Sequence, residues 1–162
     1  MLIETYQHVG KGGKRYWGNK GAGIVFTDGY KILLLRRTGN AADQGGKWCI
    51  PGGKMEKGET PLDTAKRESQ EEIGTVQGTR FASFDEKDGQ HTFTVYLYKV
   101  NYPFKVKLSE EHDDSEWILL DKLKTFDLHP EFKKHLPYYL KAIRRKFPNE
   151  KFEEWLQARQ PD

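Results

Sequence analysis

Three glutamates within five residues form the first group in this sequence that could do chemistry. On a helix, where successive residues advance by about 100°, Glu68, Glu71 and Glu72 fall within one arc of about 100°. Like charges at this spacing repel each other by a few tenths of a kcal/mol per pair, so the cluster needs compensation. One interpretation is a solvated acidic face on which Arg67 pairs with Glu71. The other is a site for a hard divalent cation, because Mg²⁺ takes carboxylate oxygens as ligands.

Local signals predict the helix that carries these acids. Thr60 is a suitable N-cap, Pro61 suits the first helical position, and Asp63 completes a capping box. Gly74 is well placed to end the helix, so the pattern predicts a helix over residues 61–73. Its core-facing positions, within an arc of about 80°, are Leu62, Ala65, Ser69 and Ile73.

The spacing around these acids carries a family resemblance. Gly53 is followed after five residues by Glu59, and after seven more by Arg-Glu-x-x-Glu-Glu-x-Gly over residues 67–74. This pattern resembles the Nudix signature at all of its polar and glycine positions. Two hydrophobic positions depart from it, since they hold Ser69 and Thr75. Neither of them belongs to the acid set, so the departure concerns the packing of the helix.

The resemblance extends to MutT-type Nudix domains on both sides of the signature. A hairpin with Arg36 and Arg37, the segment Trp48-x-x-Pro-Gly-Gly, and a glutamate six residues before Trp117 all contribute to it. Together they cover about residues 20–123. We expect one domain over residues 1–162, in which residues 124–162 form a C-terminal helical segment.

The resemblance implies a metal-dependent active site with Mg²⁺ or Mn²⁺ as the cofactor. Such a cation neutralises charge on a diphosphate and lowers the pKa of a bound water, whose proton a carboxylate accepts. The implied roles are as follows: Glu71 and Glu72 as main ligands with the carbonyl of Gly52, Glu68 as ligand or base, Arg67 orienting a glutamate, Glu59 as a further metal or structural acid, and Glu111 as a fourth acid near the metal.

Other residues are weighed for supporting roles. Arg36, Arg37 and Lys54 are candidates for contacts with substrate phosphates, although a solvated strand end would also explain the two arginines. Glu111 lies in an acidic segment, and Glu110 is its nearest substitute. We interpret Trp48 and Cys49 as core residues, and the histidines at positions 91, 112, 129 and 135 as surface or packing residues without metal-ligand spacing.

The expected function is therefore Mg²⁺-dependent hydrolysis of a pyrophosphate bond in a nucleoside triphosphate or nucleoside diphosphate derivative. The alternatives are nucleotide sugars, dinucleoside polyphosphates or RNA 5′ ends as substrates, or an inactive nucleotide-binding domain. The proline of ADP-ribose hydrolases would fall near Gln90 and is absent, as is the tyrosine of dinucleoside polyphosphate hydrolases at positions 91–93. A MutT-like triphosphatase remains by elimination, and the intact glutamate set disfavours an inactive domain.

Composition limits the class of protein. Hydrophobic residues make up 36% and charged residues 31%, and the net charge of +3 is too small to indicate a nucleic-acid binder. The single cysteine, Cys49, allows no internal disulfide and favours a reducing compartment. No apolar run approaches the ~20 residues of a membrane span. We expect a soluble, cytoplasmic enzyme with a small nucleotide as its partner, and the oligomeric state stays open.

The remaining elements predict an α/β (α+β) fold, a Nudix-like α/β/α sandwich with a mixed β-sheet flanked by helices. Residues 10–23 are predicted as a loop, and Asp28-Gly29 as a two-residue hairpin turn. Pro137 is predicted to break the C-terminal helix, and a last short helix is predicted around Phe152, Trp155 and Leu156. The predicted strands are 22–27, 30–36, 48–50, 80–86, 92–101 and 117–120.

Overall fold

The computed structural model describes residues 16–39 and 44–148. Within these ranges the chain forms seven strands and two α-helices, with one 3₁₀ helix. In chain order they are β1 (Tyr16–Thr27), β2 (Lys31–Arg37), β3 (Trp48–Cys49), β4 (Gly52–Glu56), α1 (Pro61–Ile73), β5 (Thr79–Asp88), β6 (His91–Lys99), β7 (His112–Leu119), the 3₁₀ helix Leu120–Thr125 and α2 (Pro130–Lys146).

The strands form a mixed sheet in the order β3-β2-β1-β6-β5, to which β4 adds by pairing with β1 and β7 by pairing with β2. Strands β1 and β6 run parallel, and the other pairs are antiparallel. Helix α1 covers one face of the sheet and α2 covers the other, so the predicted α/β/α sandwich is confirmed.

Two apolar cores hold the layers together, and they alternate along the strands because successive strand residues point to opposite faces. Leu33 and Leu35 of β2 pack with Ala65 and Ile73 of α1. Leu34, between them, packs on the other face with α2. The α2 residues buried in this second core are Phe132, Leu136, Tyr139, Leu140 and Ile143.

Helix α1 begins and ends where the sequence predicts. The Thr60 hydroxyl accepts a hydrogen bond from the Asp63 backbone at 3.1 Å, and the Asp63 carboxylate accepts one from the Thr60 backbone at 3.0 Å. Gly74 adopts the left-handed conformation at φ 80°, which favours glycine and ends the helix. The position of the acid cluster along the chain therefore follows from local signals alone.

The predicted loop over residues 10–23 is wrong from Tyr16 onward, and β4 was not predicted at all. Strand β1 begins at Tyr16 and pairs with β4, where Gly21 lies opposite Lys54. A Cβ atom on Gly21 would lie 2.6 Å from the carbonyl oxygen of Gly53, so glycine allows the two backbones to approach closely. The glycines in this part of the sequence therefore serve close strand packing.

Two strand boundaries also differ from prediction. The turn after β1 has three residues, and only Thr27 and Ile32 pair between β1 and β2. The main partner of β2 is β7, which begins at His112 rather than at Trp117. As a result, His112, Asp113 and Asp114, which precede Trp117 in an acidic part of the sequence, belong to a strand.

The break predicted at Pro137 is wrong, because α2 continues from Pro130 to Lys146. Proline inside a helix costs about 3 kcal/mol, whereas each fully buried large apolar side chain contributes about 1.5–3 kcal/mol. Leu136 and Tyr139 on either side of Pro137 are buried against the sheet and hold the helix together. The last predicted short helix lies outside the described residues. Neither α-helix of the described ranges is long and apolar enough to cross a membrane.

Candidate active site

The acids of α1 differ in burial. Glu68 and Glu72 are 6% and 3% exposed, whereas Glu71 is exposed. The buried pair lies on the side of α1 that faces the sheet, together with Ala65, Ser69 and Ile73 from the predicted core face. Burying a charged carboxylate is costly unless it is paired or bound to a metal, so the partners of these two acids decide the chemistry of the site.

Strand β4 receives both buried carboxylates through its glycines. The backbone N–H of Gly52 donates to Glu72 Oε1 at 3.0 Å. A Cβ atom on Gly53 would lie 2.5 Å from Glu68 Cδ, so only glycine leaves room for this carboxylate against the strand. Gly53 thus makes room for a carboxylate of α1, whereas a Cβ atom on Gly52 would meet β1 and Phe93. Gly52 contacts Glu72 through its N–H, and the role of its carbonyl as a metal ligand stays a prediction.

Arg67 donates hydrogen bonds to three acids of the site, Glu59, Glu68 and Glu71. Its guanidinium donates two hydrogen bonds to Glu59, at 2.8 and 3.1 Å, and one to Glu68 at 2.8 Å. A longer bond of 3.3 Å reaches Glu71, which is the pairing expected four residues along the helix. A further bond of 3.0 Å reaches the carbonyl of Lys54 in β4. Burial lowers the pKa of Arg67, but its bonds to Glu59 and Glu68 outweigh this and raise it.

Glu59 is held on all sides by hydrogen bonds. Besides Arg67, its carboxylate accepts from the Glu56 backbone at 2.8 Å and from the Thr64 hydroxyl at 2.9 Å. Burial alone would raise the pKa of Glu59. The hydrogen bonds lower the pKa by more than burial raises it, so the net shift is downward. Glu59 therefore links β4 to α1, and its role as a further metal or structural acid stays a prediction.

The segment before β7 brings a second element to the site. The Ser109 backbone donates to the carbonyl of Glu72, and the Thr38 backbone donates to that of Glu111. Ligand atoms of Glu72, Glu111 and His112 lie within 4.8 Å of one another, a separation that suits one metal ion. His112 was predicted to be a surface or packing residue. It is buried, and the folded structure brings one of its ring nitrogens to within 4.8 Å of a Glu72 carboxylate oxygen.

The candidate phosphate-binding residues occupy different surroundings. Arg36 forms a 2.6 Å ion pair with Asp113, and its guanidinium lies 5.7 Å from the ring centroid of Trp48. The bond to Asp113 raises the pKa of Arg36. Arg37 lies opposite His112 across the β2–β7 pair. Lys54 lies in β4, next to Gly53. Phosphate contacts by these three residues stay predictions.

Two residues have the core positions that the sequence predicts. Trp48 is 7% exposed and packs edge-on against Phe126 with ring centroids 5.3 Å apart. Cys49 is buried, and this burial raises the pKa of its thiol to about 12. A thiol that stays protonated at neutral pH is a poor nucleophile, so the site has no cysteine chemistry.

The fold and the site define an α/β/α sandwich with a carboxylate cluster between a helix and a glycine-containing strand. The model of the NUDIX domain matches residues 19–139 of this chain. The chain belongs to the Nudix family. The match continues past position 123, where the sequence resemblance ends, into the first half of α2.

Individual proteins agree with this assignment. The chain is similar to the 8-oxo-dGTP diphosphatase of Escherichia coli K12, with 30% identity over 111 residues that cover 67% of this chain and 84% of the relative. A Mycobacterium tuberculosis relative, provisionally named an 8-oxo-dGTP diphosphatase, is 30% identical over 139 residues, or 76% of this chain. The match spans 63% of that relative's length.

A solved structure supports the fold. The crystal structure of RenU, a Nudix hydrolase from Mycobacterium smegmatis, superposes with a TM-score of 0.68 at 24% sequence identity. The superposition covers 88% of this chain and 96% of RenU. At this level of identity the likeness concerns the arrangement of helices and strands.

Proposed function

We propose that this protein hydrolyses a pyrophosphate bond of a nucleoside triphosphate, with Mg²⁺ or Mn²⁺ as the cofactor. One observation carries the proposal: Glu72, buried and held by the Gly52 N–H, lies within metal-binding distance of Glu111 and His112. The similarity to the Escherichia coli 8-oxo-dGTP diphosphatase supports a triphosphate as the substrate. We place the enzyme in the cytoplasm, in line with its single buried cysteine.

The donors fit a hard divalent cation. Carboxylate oxygens suit Mg²⁺ and Mn²⁺, and the two acids come from different parts of the chain: Glu72 from α1 and Glu111 from the residue just before β7. Glu72 and Glu111 would hold the ion with the Gly52 carbonyl, and Glu71, exposed at the edge, would complete the set. Imidazole is a poorer ligand for Mg²⁺, so His112 would line the site. When bound, the cation neutralises charge on the diphosphate and lowers the pKa of a water.

The protein's own residues would position the nucleophile and the phosphates. Arg67 donates a 2.8 Å hydrogen bond to Oε1 of Glu68 and so orients this carboxylate, which would accept the proton of the attacking water. Arg37 and Lys54 would contact the phosphates and stabilise charge on the leaving group. Arg36 would contribute after exchanging Asp113 for a phosphate.

A substrate panel tests this proposal. Deoxynucleoside triphosphates, 8-oxo-dGTP, ADP-ribose, a nucleotide sugar, a dinucleoside tetraphosphate and a 5′-triphosphorylated RNA would be assayed with Mg²⁺, with Mn²⁺ and with excess chelator. We expect the triphosphates to have the highest kcat/KM, no turnover with chelator, and ¹⁸O from labelled water in a phosphate product. Full turnover in chelator would overturn the metal site. Preferred hydrolysis of another panel member would reassign the substrate.

A further inference from the structure

A groove alongside α2 lies away from the carboxylate site. Its cavity has a volume of about 720 Å³ and lies between α2 and the chain that follows the 3₁₀ helix. A volume of this size is within the range of ligand sites in proteins, about 300–1,000 Å³. Since α2 and α1 cover opposite faces of the sheet, the sheet separates this groove from the acids of α1.

The groove combines an apolar floor with a cationic rim. The apolar residues that line it are Phe126, Leu128, Leu136, Pro137 and Leu140. Lys124, Lys133, Lys141 and Arg144 supply four positive charges, and no carboxylate is among the described residues that line the cavity. Lysine and arginine lay their aliphatic stems along apolar surface while their charged ends stay in water. The chemistry that complements this surface is a segment with apolar side chains on one face and acids beside them.

The chain itself contains a segment of the required chemistry directly after α2. Residues 149–162 carry acids at Glu150, Glu153 and Glu154. Phe152, Trp155 and Leu156 have the i, i+3, i+4 spacing that places side chains on one face of a helix. The groove-lining part of α2, from Lys133 to Arg144, extends for roughly 16 Å at about 1.5 Å per residue. This length matches about three helical turns of an occupant.

We propose that the groove binds residues 149–162 of this chain, with the three apolar side chains on its floor and the glutamates facing its lysines. Tethering makes the contact intramolecular, at an effective concentration on the order of millimolar, so modest complementarity is enough. Arg144 lines the groove and lies two residues before the end of α2 at Lys146, so the chain leaves α2 close to the groove.

The test compares the intact chain with a chain shortened after Pro148. A fluorescently labelled peptide with the sequence of residues 149–162 is titrated into each and followed by anisotropy. We expect saturable binding to the shortened chain and at least tenfold weaker binding to the intact chain, whose groove is occupied. The double variant Lys133→Glu/Lys141→Glu of the shortened chain should bind at least tenfold more weakly. Lys66→Glu/Lys105→Glu, with the same change of charge at exposed positions elsewhere, should bind like the unmodified shortened chain.

Several outcomes would overturn the proposal. They are equal binding to the intact and shortened chains, no binding to either, and dimerisation of the shortened chain, which would identify a second copy as the occupant. If the shortened chain does not fold, amide hydrogen exchange of the intact chain tests the proposal instead. Trp155→Ala and Lys141→Glu should each speed amide exchange in the second half of α2 at least tenfold, and Glu153→Lys should restore protection to Lys141→Glu. Unchanged exchange in both single variants would overturn the proposal.

Discussion

The backbone N–H of Gly52 donates a 3.0 Å hydrogen bond to Oε1 of Glu72, which fixes a buried carboxylate of α1 against the first residue of β4. This contact needs only an acceptor oxygen, which glutamine also has. The charge of Glu72 is therefore separable from its place in the fold, and a neutral variant tests its chemical role.

The first prediction is that Glu72→Gln lowers kcat by at least about 100-fold and leaves the protein folded, because the lost charge would hold the cation. Glu71→Gln should also lower kcat by orders of magnitude. Like charges along α1 repel each other, so metal-free stability should be unchanged or slightly higher. The measurements are steady-state kinetics at saturating Mg²⁺ and urea denaturation with chelator. Near wild-type rates in both variants would show that these acids are not the active site.

The second prediction concerns the acid supplied by the segment before β7. Glu111 lies within metal-binding distance of Glu72, whereas its neighbour Glu110 is exposed. We expect Glu111→Gln to lower kcat at least about tenfold at saturating Mg²⁺ and to raise the Mg²⁺ concentration for half-maximal rate. Glu110→Gln is the matched control and should keep wild-type values. A large loss of kcat confined to Glu110→Gln would assign the metal-site role to Glu110 instead. No loss in either variant would show that this segment is an acidic surface segment outside the active site.

The third prediction concerns Arg67, which contacts Glu59, Glu68 and Glu71. Removing one partner of a largely buried ion pair leaves uncompensated charge, so Arg67→Ala should lower the free energy of unfolding by about 3 kcal/mol. Arg67→Lys keeps the charge but not the fork that bonds Glu59 twice, so it should recover only part of the loss. Urea denaturation measures both. Lys66→Ala, at an exposed neighbouring position, should change stability by about 0.5 kcal/mol or less, and an equal effect at both positions would contradict the role of Arg67.

What could be predicted from sequence depended on how local the signals are. Thr60, Asp63 and Gly74 define α1 within a few residues of chain, and the helix then fixes where its acids point. Strand β4 was missed because its partner, β1, is far away in sequence and rich in glycine, which suggested a loop. In β4, Gly53 makes room for the Glu68 carboxylate, a function that no local sequence pattern displays.

The position of His112 shows the same limit at the site. Its approach to Glu72 requires α1, β2 and β7 to assemble in register, and nothing in the spacing of histidines encodes that. Pro137 shows the converse case. Its local tendency to break a helix was readable, but the burial of its neighbours in the core outweighs it.

The last prediction concerns Glu86 of β5, whose side chain is 10% exposed and contacts α2. Tyr139 donates a hydrogen bond to its Oε2, and His135 Nδ1 lies 3.5 Å from its Oε1. Burial raises the pKa of Glu86 to about 8, the nearby charge of Glu131 adds to this shift, and Lys134 opposes it. At neutral pH the folded protein therefore favours the protonated acid, whereas the unfolded chain has an ordinary glutamate.

The sign of the pH dependence follows from that difference. Between the unfolded value of about 4.5 and the folded value of about 8, the native state binds more protons, so stability is full below this window and falls as pH rises through it. Glu86→Gln keeps the size of the side chain and an acceptor for Tyr139 but cannot ionise. We expect wild-type unfolding free energy to fall by a few kcal/mol more than that of Glu86→Gln from pH 5 to about pH 8, measured by urea denaturation at each pH. Asp85→Asn, at an exposed neighbouring position, should follow the wild-type slope. Parallel slopes for wild type and Glu86→Gln would mean that Glu86 titrates alike in the folded and unfolded states, and that its contact with Tyr139 does not depend on a proton.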